Sequence, residues 1–319
     1  MNPRRVNWLF FIMLLTEAAV TAALIAAQTI GDVQFAIGPV QSLLLSQAIV
    51  FLPSVLFLLG SRTAPGRLIA CGRPALVTSL LVVAFTYLCM PAIIAVNAIS
   101  MLFVENEVVS LQTSLQGVSP WLMLLVIGVI GPANEEFVFR GVIYHGYRRS
   151  GRILGAVLLS ALLFGLTHLN FNQMSYAVLV GVIGALLIEG TGSIFYSFLF
   201  HAVINCTNVV EMLLMDSGIA SMSQQQREAY IEAQMQMPYK QALCISVSVY
   251  LVIAGVTIAL AACLFYAILK REGRTACFAE IFSGKAHVPG EKKQRLVTPV
   301  LVLSVLLCLL YMTADILMK

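Results

Sequence analysis

The sequence predicts an all-α polytopic membrane protein with about eight to nine transmembrane helices and a polar cavity inside the membrane. Of its 319 residues, 60% are hydrophobic and only 11% are charged, whereas soluble domains carry about 25% charged residues. Several apolar runs reach the roughly 20 residues that a helix needs to cross a bilayer. No repeat or long linker divides the chain, so we expect residues 1–319 to form a single transmembrane domain.

Nine apolar runs separated by polar breaks are the candidate spans. The first run continues past Glu17, which is longer than the apolar region of a signal peptide and predicts an uncleaved anchor. The short segments within 153–189 are the least distinct as separate spans. The candidate spans are residues 7–28, 40–59, 75–99, 121–146, 153–169, 174–189, 192–213, 241–269 and 296–317.

The charges of the connecting loops predict the orientation. Basic and non-basic loops alternate along the chain, and Lys and Arg are retained on the cytoplasmic side. We therefore expect an integral protein of a bacterial inner membrane with a cytoplasmic N-terminus and, with nine spans, an external C-terminus. The net charge of +4 follows from this distribution and does not indicate a nucleic-acid partner. The basic loops contain Arg4, Arg5, Arg62, Arg67, Arg73, Arg148, Arg149, Arg152, Lys270, Arg271, Arg274, Lys285, Lys292, Lys293 and Arg295, and the non-basic loops contain Asp32, Glu105 and Glu107.

One polar segment, residues 216–240, separates two apolar spans on the external side. Its composition is compatible with a surface helix or with a solvated loop. We favour the solvated loop.

Three charged side chains interrupt the fourth span. The stretch "GPANEEFVFRGVIYHGYRR" contains Glu135, Glu136 and Arg140, and a charge at mid-bilayer costs about 2.5–3.5 kcal/mol unless it is paired or faces the bundle interior. Glu136 and Arg140 are four residues apart and share a helix face, which predicts an ion pair. Glu135 is rotated by about 100° from Glu136 and is free to point elsewhere.

Two other spans carry polar groups to a similar depth. At helical rise, His168 lies about 24 Å, His201 about 15 Å and Asn205 about 21 Å from the cytoplasmic edge, against about 20 Å for Glu135. Each of these groups also has a structural interpretation when it is taken alone. The pair of Glu136 and Arg140 could be a buried structural ion pair, and His168 could be a packed, hydrogen-bonded histidine. His201 and Asn205 could form hydrogen bonds between helices. Taken together, a carboxylate, two imidazoles and an amide suit general-base attack of water on a peptide bond.

Three motifs in this part of the chain resemble those of one known family. "NEEFVFRG", "FGLTH" and "TGSIFYSFLFHAVIN" are similar to the EExxxR, FxxxH and HxxxN/B motifs of the CPBP family, also called the Abi family. That family contains CAAX prenyl proteases and bacteriocin-processing enzymes. The motifs occur in the family's order, and the resemblance covers residues 125–210, which we expect to be the catalytic core.

The resemblance implies an intramembrane endopeptidase related to type II CAAX prenyl endopeptidases. Carried over to this sequence, Glu135 would activate water together with His168, while His201 and Asn205 would bind the oxyanion. Glu136 and Arg140 would support the site. Family members are often described as metalloproteases, and Glu135, His168 and His201 could bind a divalent metal such as zinc with one open position. A metal-free glutamate mechanism fits equally, and we favour it because there is no HExxH sequence.

Three hypotheses for the function follow. The leading one is proteolysis of a membrane-embedded or lipidated peptide or protein within the bilayer. The alternative from another class is a non-enzymatic membrane scaffold or bacteriocin self-immunity factor, in which the same polar residues hold the fold together. A proton-coupled transporter is the third, although two matched halves with interrupted spans are not evident.

Overall fold

The computed structural model of the chain describes residues 2–30, 37–61, 72–106, 113–235, 237–283 and 295–318. Within these residues the regular structure is helical and contains no strand, which confirms the predicted all-α class. The helices are α1 (Pro3–Ile30), α2 (Pro39–Gly60), α3 (Leu76–Ser100), α4 (Pro120–Arg148), α5 (Ile153–Leu166), α6 (Phe171–Thr191), α7 (Ile194–Ser221), α8 (Gln224–Met235), α9 (Tyr239–Arg271), α10 (Cys277–Ser283) and α11 (Pro299–Met318).

In the described part of the chain, eight helices are long and apolar enough to cross a membrane: α1 to α4, α6, α7, α9 and α11. The predicted span 153–169 is the exception. Helix α5 has 14 residues, about 21 Å at helical rise, against a hydrocarbon thickness of about 30 Å. The chain reverses just after it, because Leu169 adopts a positive φ of 52° and the Asn170 side chain caps α6 by accepting from Gln173 N at 2.7 Å. The placement of His168 inside a span was therefore wrong, since it lies in the turn between α5 and α6.

Helix α4 is not a regular α-helix. Two π-helical stretches, Leu124–Ile130 and Phe137–Tyr144, flank a short α-helical segment, Gly131–Glu136. Pro132 lies in the first turn of that segment and has no backbone N–H to donate. Widened π turns change which side chains share a face and occur frequently at functional sites.

The preference for a solvated loop over residues 216–240 was wrong. Helix α7 continues to Ser221, and α8 follows as a separate polar helix. A reciprocal capping box begins it: Ser223 N donates to Gln226 Oε1 at 2.9 Å, and Gln226 N donates to Ser223 Oγ at 3.3 Å. The Ser-x-x-Gln spacing was the sequence signal for this helix start.

The core of the bundle is built around α4, α5, α6 and α7. Helices α5 and α6 form an antiparallel pair, and α4 packs against α5 and α7. Phe139, Phe164 and Phe200 are almost completely buried between them. Helices α9 and α11, in contrast, expose many large apolar side chains along their length, as expected for lipid-facing helices. The central helices therefore carry the predicted catalytic core.

The ends of the helices next to the basic loops meet at one end of the bundle, which we call the basic end. Asn7 Nδ2 donates to Leu296 O at 2.9 Å, Ser193 Oγ donates to Gly72 O at 3.1 Å, and Arg274 Nε donates to the Glu189 carbonyl at 2.7 Å. These contacts agree with the predicted alternation of loops. Several of the loop charges used for that prediction lie outside the described residues: Asp32, Arg62, Arg67, Glu107, Lys285, Lys292 and Lys293.

Candidate active site

The predicted ion pair between Glu136 and Arg140 is confirmed. Both residues are only 1% exposed, and Arg140 Nη1 lies 3.1 Å from Glu136 Oε1. The second oxygen of Glu136 accepts a hydrogen bond from Ser197 Oγ at 2.6 Å, and the first also accepts from His201 Nδ1 at 3.0 Å. This carboxylate therefore has both oxygens engaged, by α4 itself and by α7.

Glu135 points away from that pair, and only one of its carboxylate oxygens accepts a hydrogen bond from the described residues. Its Oε1 accepts a hydrogen bond from Gln47 Nε2 on α2 at 3.0 Å, and its Oε2 lies 3.8 Å from His201 Nε2. The side chain keeps 20% of its surface exposed. A gap of 3.8 Å is too long for a direct hydrogen bond but can be bridged by one water molecule.

The hydrogen bond to Glu136 sets the tautomer of His201. Because an ionised carboxylate only accepts, Nδ1 must carry the hydrogen of this contact. Nε2 is then directed at Glu135 Oε2. His201 thus connects the two adjacent glutamates of α4, with one ring nitrogen committed and the other free to exchange a proton with a group between it and Glu135.

Phe164 contacts two histidines, His201 on α7 and His168 in the turn after α5. The His168 ring packs edge-on to Phe164 with centroids 5.2 Å apart, and the His201 ring does so at 5.6 Å. The Arg140 guanidinium stacks on the same phenyl ring, 4.4 Å from its centroid. The His168 Nδ1–H donates to the Phe164 carbonyl at 3.0 Å, because a carbonyl oxygen can only accept. Its Nε2 is thereby left for another partner.

Asn205 lies one helical turn beyond His201 on α7. Its Nδ2 donates to the Ile127 carbonyl at 3.1 Å. Ile127 belongs to the first π-helical stretch of α4, so the amide ties α7 to the irregular part of α4. One amide hydrogen of Asn205 is used in this way, and an amide carries two.

Sequence reasoning missed two partners of these residues. Ser197, which binds Glu136, is four residues before His201, so residues 197, 201 and 205 form a polar stripe on one face of α7. That spacing could have revealed it. Gln47 lies in a different span, and the only sequence signal for it is an amide within an apolar helix.

The three residues proposed as metal ligands do not form a ligand set in this structure. In the chain as described, neither Glu135, His168 and His201 nor any other group of three or more His, Cys, Asp and Glu side chains is arranged to hold a metal ion. His201 commits Nδ1 to Glu136, and Glu135 commits Oε1 to Gln47, so His201 Nε2 and Glu135 Oε2 are the atoms that these two side chains leave uncommitted.

A cavity of about 200 Å³ opens at the end of the bundle opposite the basic end. It lies between α3, α6 and α11, and Asn170 is among its lining residues. Asn170 also donates to the His168 carbonyl at 2.9 Å. The cavity thus adjoins the turn that carries His168, although none of the predicted catalytic side chains lines it.

The part of the chain that matches known proteins contains the candidate site residues on α4, α7 and the turn after α5. Residues 117–207 match the family model described as type II CAAX prenyl endopeptidase Rce1-like. A stretch of 92 residues is 27% identical to the "Putative membrane peptidase YdiL" of Bacillus subtilis (strain 168), and it covers 29% of this chain and 38% of that protein. No solved structure matches the chain. The matched residues contain all three motifs, so the predicted resemblance to this family is confirmed for residues 117–207.

Proposed function

We propose that this integral membrane protein is an intramembrane endopeptidase of the CAAX type, with Glu135 as its general base. One observation carries the proposal. Of two adjacent glutamates on α4, Glu136 has both oxygens bound, whereas Glu135 keeps Oε2 uncommitted and directed at an imidazole nitrogen 3.8 Å away. A water molecule between these two groups would contact the Glu135 carboxylate and the His201 ring nitrogen at once.

The proposed reaction is hydrolysis of a peptide bond. Glu135 removes a proton from water, and the resulting hydroxide attacks the carbonyl carbon of the scissile bond. His201, in the doubly protonated form that carries a hydrogen on Nε2, and Asn205, through its second amide hydrogen, donate to the oxyanion of the tetrahedral intermediate, and His168 helps to orient the base. The proton held by Glu135 passes to the amide nitrogen, the C–N bond breaks, and a carboxylate and an amine leave. Glu136 and Arg140 act through His201 and Phe164, which they hold in place.

The substrate class follows from where the site lies. The candidate residues belong to membrane-spanning helices or the turn next to them, so the scissile bond must enter the bilayer region. A membrane-embedded or lipidated peptide meets this requirement. We place the catalytic core at residues 125–210 within one transmembrane domain, in a bacterial inner membrane, with the basic end and the N-terminus in the cytoplasm.

The test is peptide cleavage by the purified protein in detergent and in liposomes. The probes are an internally quenched farnesylated CAAX peptide and an unmodified transmembrane peptide. Wild type should cleave at least one of them. Glu135→Gln, which keeps the shape of the side chain but cannot accept the proton, should lower kcat by about 10²–10⁴-fold. Gln41→Met, an exposed position on α2, serves as the control and should keep wild-type kinetics.

Two results would contradict the proposal. Cleavage by Glu135→Gln at the wild-type rate would exclude Glu135 as the base. Loss of activity with a chelator, restored by Zn²⁺, would contradict the metal-free mechanism. If Glu135→Gln instead retained a cellular phenotype that a deletion strain loses, the non-enzymatic scaffold would be favoured.

A further inference from the structure

Gln47 is the amide that reaches the candidate site from outside the family motifs. It lies on α2, about 70 residues before the segment 117–207 that matches the family model. The serine hydroxyls at positions 46 and 54 of this helix bond to carbonyls of their own helix. Gln47 crosses to α4 and donates to Glu135 Oε1 at 3.0 Å.

The orientation of the Gln47 amide is dictated by its neighbour. An ionised carboxylate can only accept hydrogen bonds, so the NH₂ group must face Glu135. The amide oxygen is then turned into the protein, where it is buried and has no hydrogen-bond partner. Buried acceptors are rarely left unpaired, and the exceptions call for an explanation. Here the contact to Glu135 explains why the amide keeps this orientation.

Gly131 of α4 lies beside the Gln47 amide. A methyl group built on Gly131 would lie 3.7 Å from Gln47 Nε2, an ordinary van der Waals distance. The amide therefore lies close to the α4 backbone at this point, where its hydrogen bond reaches Glu135.

We propose that Gln47 is a positioning residue for the general base, an inference that rests on the proposed role of Glu135. The terminal torsion of a glutamate is broad and roughly two-fold, so a free carboxylate exchanges its two oxygens. The bond from Gln47 holds Oε1, and Oε2 is thereby kept facing His201 Nε2. Gln47 selects the oxygen that removes the proton from water.

Removing the amide should slow the chemical step without weakening substrate binding. In Gln47→Met, which has a similar length and no hydrogen-bonding nitrogen, we expect kcat for the farnesylated or transmembrane probe peptide to fall about ten- to a hundredfold. KM should stay within about twofold, because interactions formed only in the transition state change kcat. Thermal unfolding in detergent checks that the variant is folded.

Gln47→Glu provides a readout that a purely structural role would not change. At about pH 5 the new carboxyl group is largely protonated beside Glu135 and can donate the same hydrogen bond; at about pH 8 it ionises and repels Glu135. The activity of this variant relative to wild type should therefore be at least about tenfold higher at the acidic pH. Gln41→Met and Gln41→Glu, at an exposed position of the same helix, are the matched controls and should follow wild type at both pH values.

The outcomes separate this inference from the proposed function. An inactive Glu135→Gln together with wild-type kcat in Gln47→Met would overturn the role of Gln47 alone. That role is also overturned if Gln47→Met raises KM and leaves kcat unchanged, or if the activity of Gln47→Glu relative to wild type does not change with pH. A wild-type protein that cleaves neither probe, or a fully active Glu135→Gln, would overturn both.

Discussion

Two buried clusters of carboxylates and arginines lie along α4, and they differ in how completely the carboxylate oxygens are used. At the basic end, Glu189 binds the Arg148 guanidinium through both oxygens, at 2.5 and 3.0 Å, and also accepts from the Tyr144 hydroxyl. In the membrane interior, Glu136 is equally saturated, but the adjacent Glu135 keeps one oxygen without a hydrogen bond. Burial and charge pairing alone therefore do not distinguish a structural cluster from the cluster proposed to be catalytic.

The feature that separates these carboxylates is whether an oxygen remains without a hydrogen bond. A carboxylate with every oxygen bound connects helices: Glu189 ties α6 to α4, and Glu136 ties α4 to α7. A carboxylate that is held through one oxygen only can still accept a proton through the other.

Glu136→Gln should be the most damaging of the substitutions to the fold. It removes the carboxylate that forms the 3.1 Å ion pair with Arg140, a residue that is only 1% exposed, and breaking a buried ion pair costs about 3–5 kcal/mol. The melting temperature in detergent should fall strongly. Glu135→Gln is the control at the adjacent position and should melt closer to wild type, because the ion pair between Arg140 and Glu136 is retained. Equal melting temperatures for the two variants would contradict the structural role of Glu136.

Glu189→Gln should destabilise the protein less than Glu136→Gln does and should leave the rate of peptide cleavage nearly unchanged. Its partner Arg148 has 36% of its side chain exposed and can turn toward water. Hydrogen bonds to charged groups contribute about 1.5–3 kcal/mol, and we expect a loss of free energy of unfolding in that range. The kcat of the folded variant should remain within about twofold of wild type. A kcat reduced as far as in Glu135→Gln would show that the two clusters are coupled.

Gly184→Ala should disturb the site by overpacking. The added methyl group would lie 2.6 Å from Ser197 Oγ, which is closer than real contacts allow, and 3.2 Å from the Arg140 guanidinium, which is tighter than most real contacts. Overpacking typically costs about 1–3 kcal/mol, and both stability and kcat should decrease. Gly255→Ala on α9 has nothing within 4 Å of the new methyl group and is the control. If the two variants have the same melting temperature and kcat, Gly184 is not needed for close packing.

The alkylation rate of Cys277 should show the smallest effect, and it reports on the charge of Glu189 at the basic end. Cys277 is 4% exposed at the start of α10, and burial raises the pKa of its thiol, with a further rise from the nearby Glu189 carboxylate. A raised pKa leaves less thiolate at about pH 8, so alkylation by iodoacetamide should be slow. Removing the Glu189 charge lowers this pKa, so Glu189→Gln should speed labelling as read by mass spectrometry. Glu135→Gln should label at the wild-type rate.

Much of the site was predictable because it depends on spacing along single helices. The i,i+4 relation predicted the pair between Glu136 and Arg140, and the order of the three motifs predicted the family. His168 was predicted to lie near His201, and both rings do contact Phe164. It was predicted to lie within a span, however, and it lies in the turn after α5. The apolar run predicted a continuous span, whereas the positive φ of Leu169 and the Asn170 cap end the helix first.

The amino-acid sequence alone was sufficient to predict a helical, membrane-embedded chain whose central segment is similar to the Rce1-like family, because hydropathy and motif spacing are properties of short stretches of chain. The i,i+4 spacing indicated that Glu136 is paired and Glu135 is free, but the partner that holds Glu135 became evident from the packing of the helices. The hydrogen bond from Gln47 to Glu135 joins residues 88 positions apart in the chain. Such a contact depends on how α2 packs against α4, and no pattern within either helix encodes it.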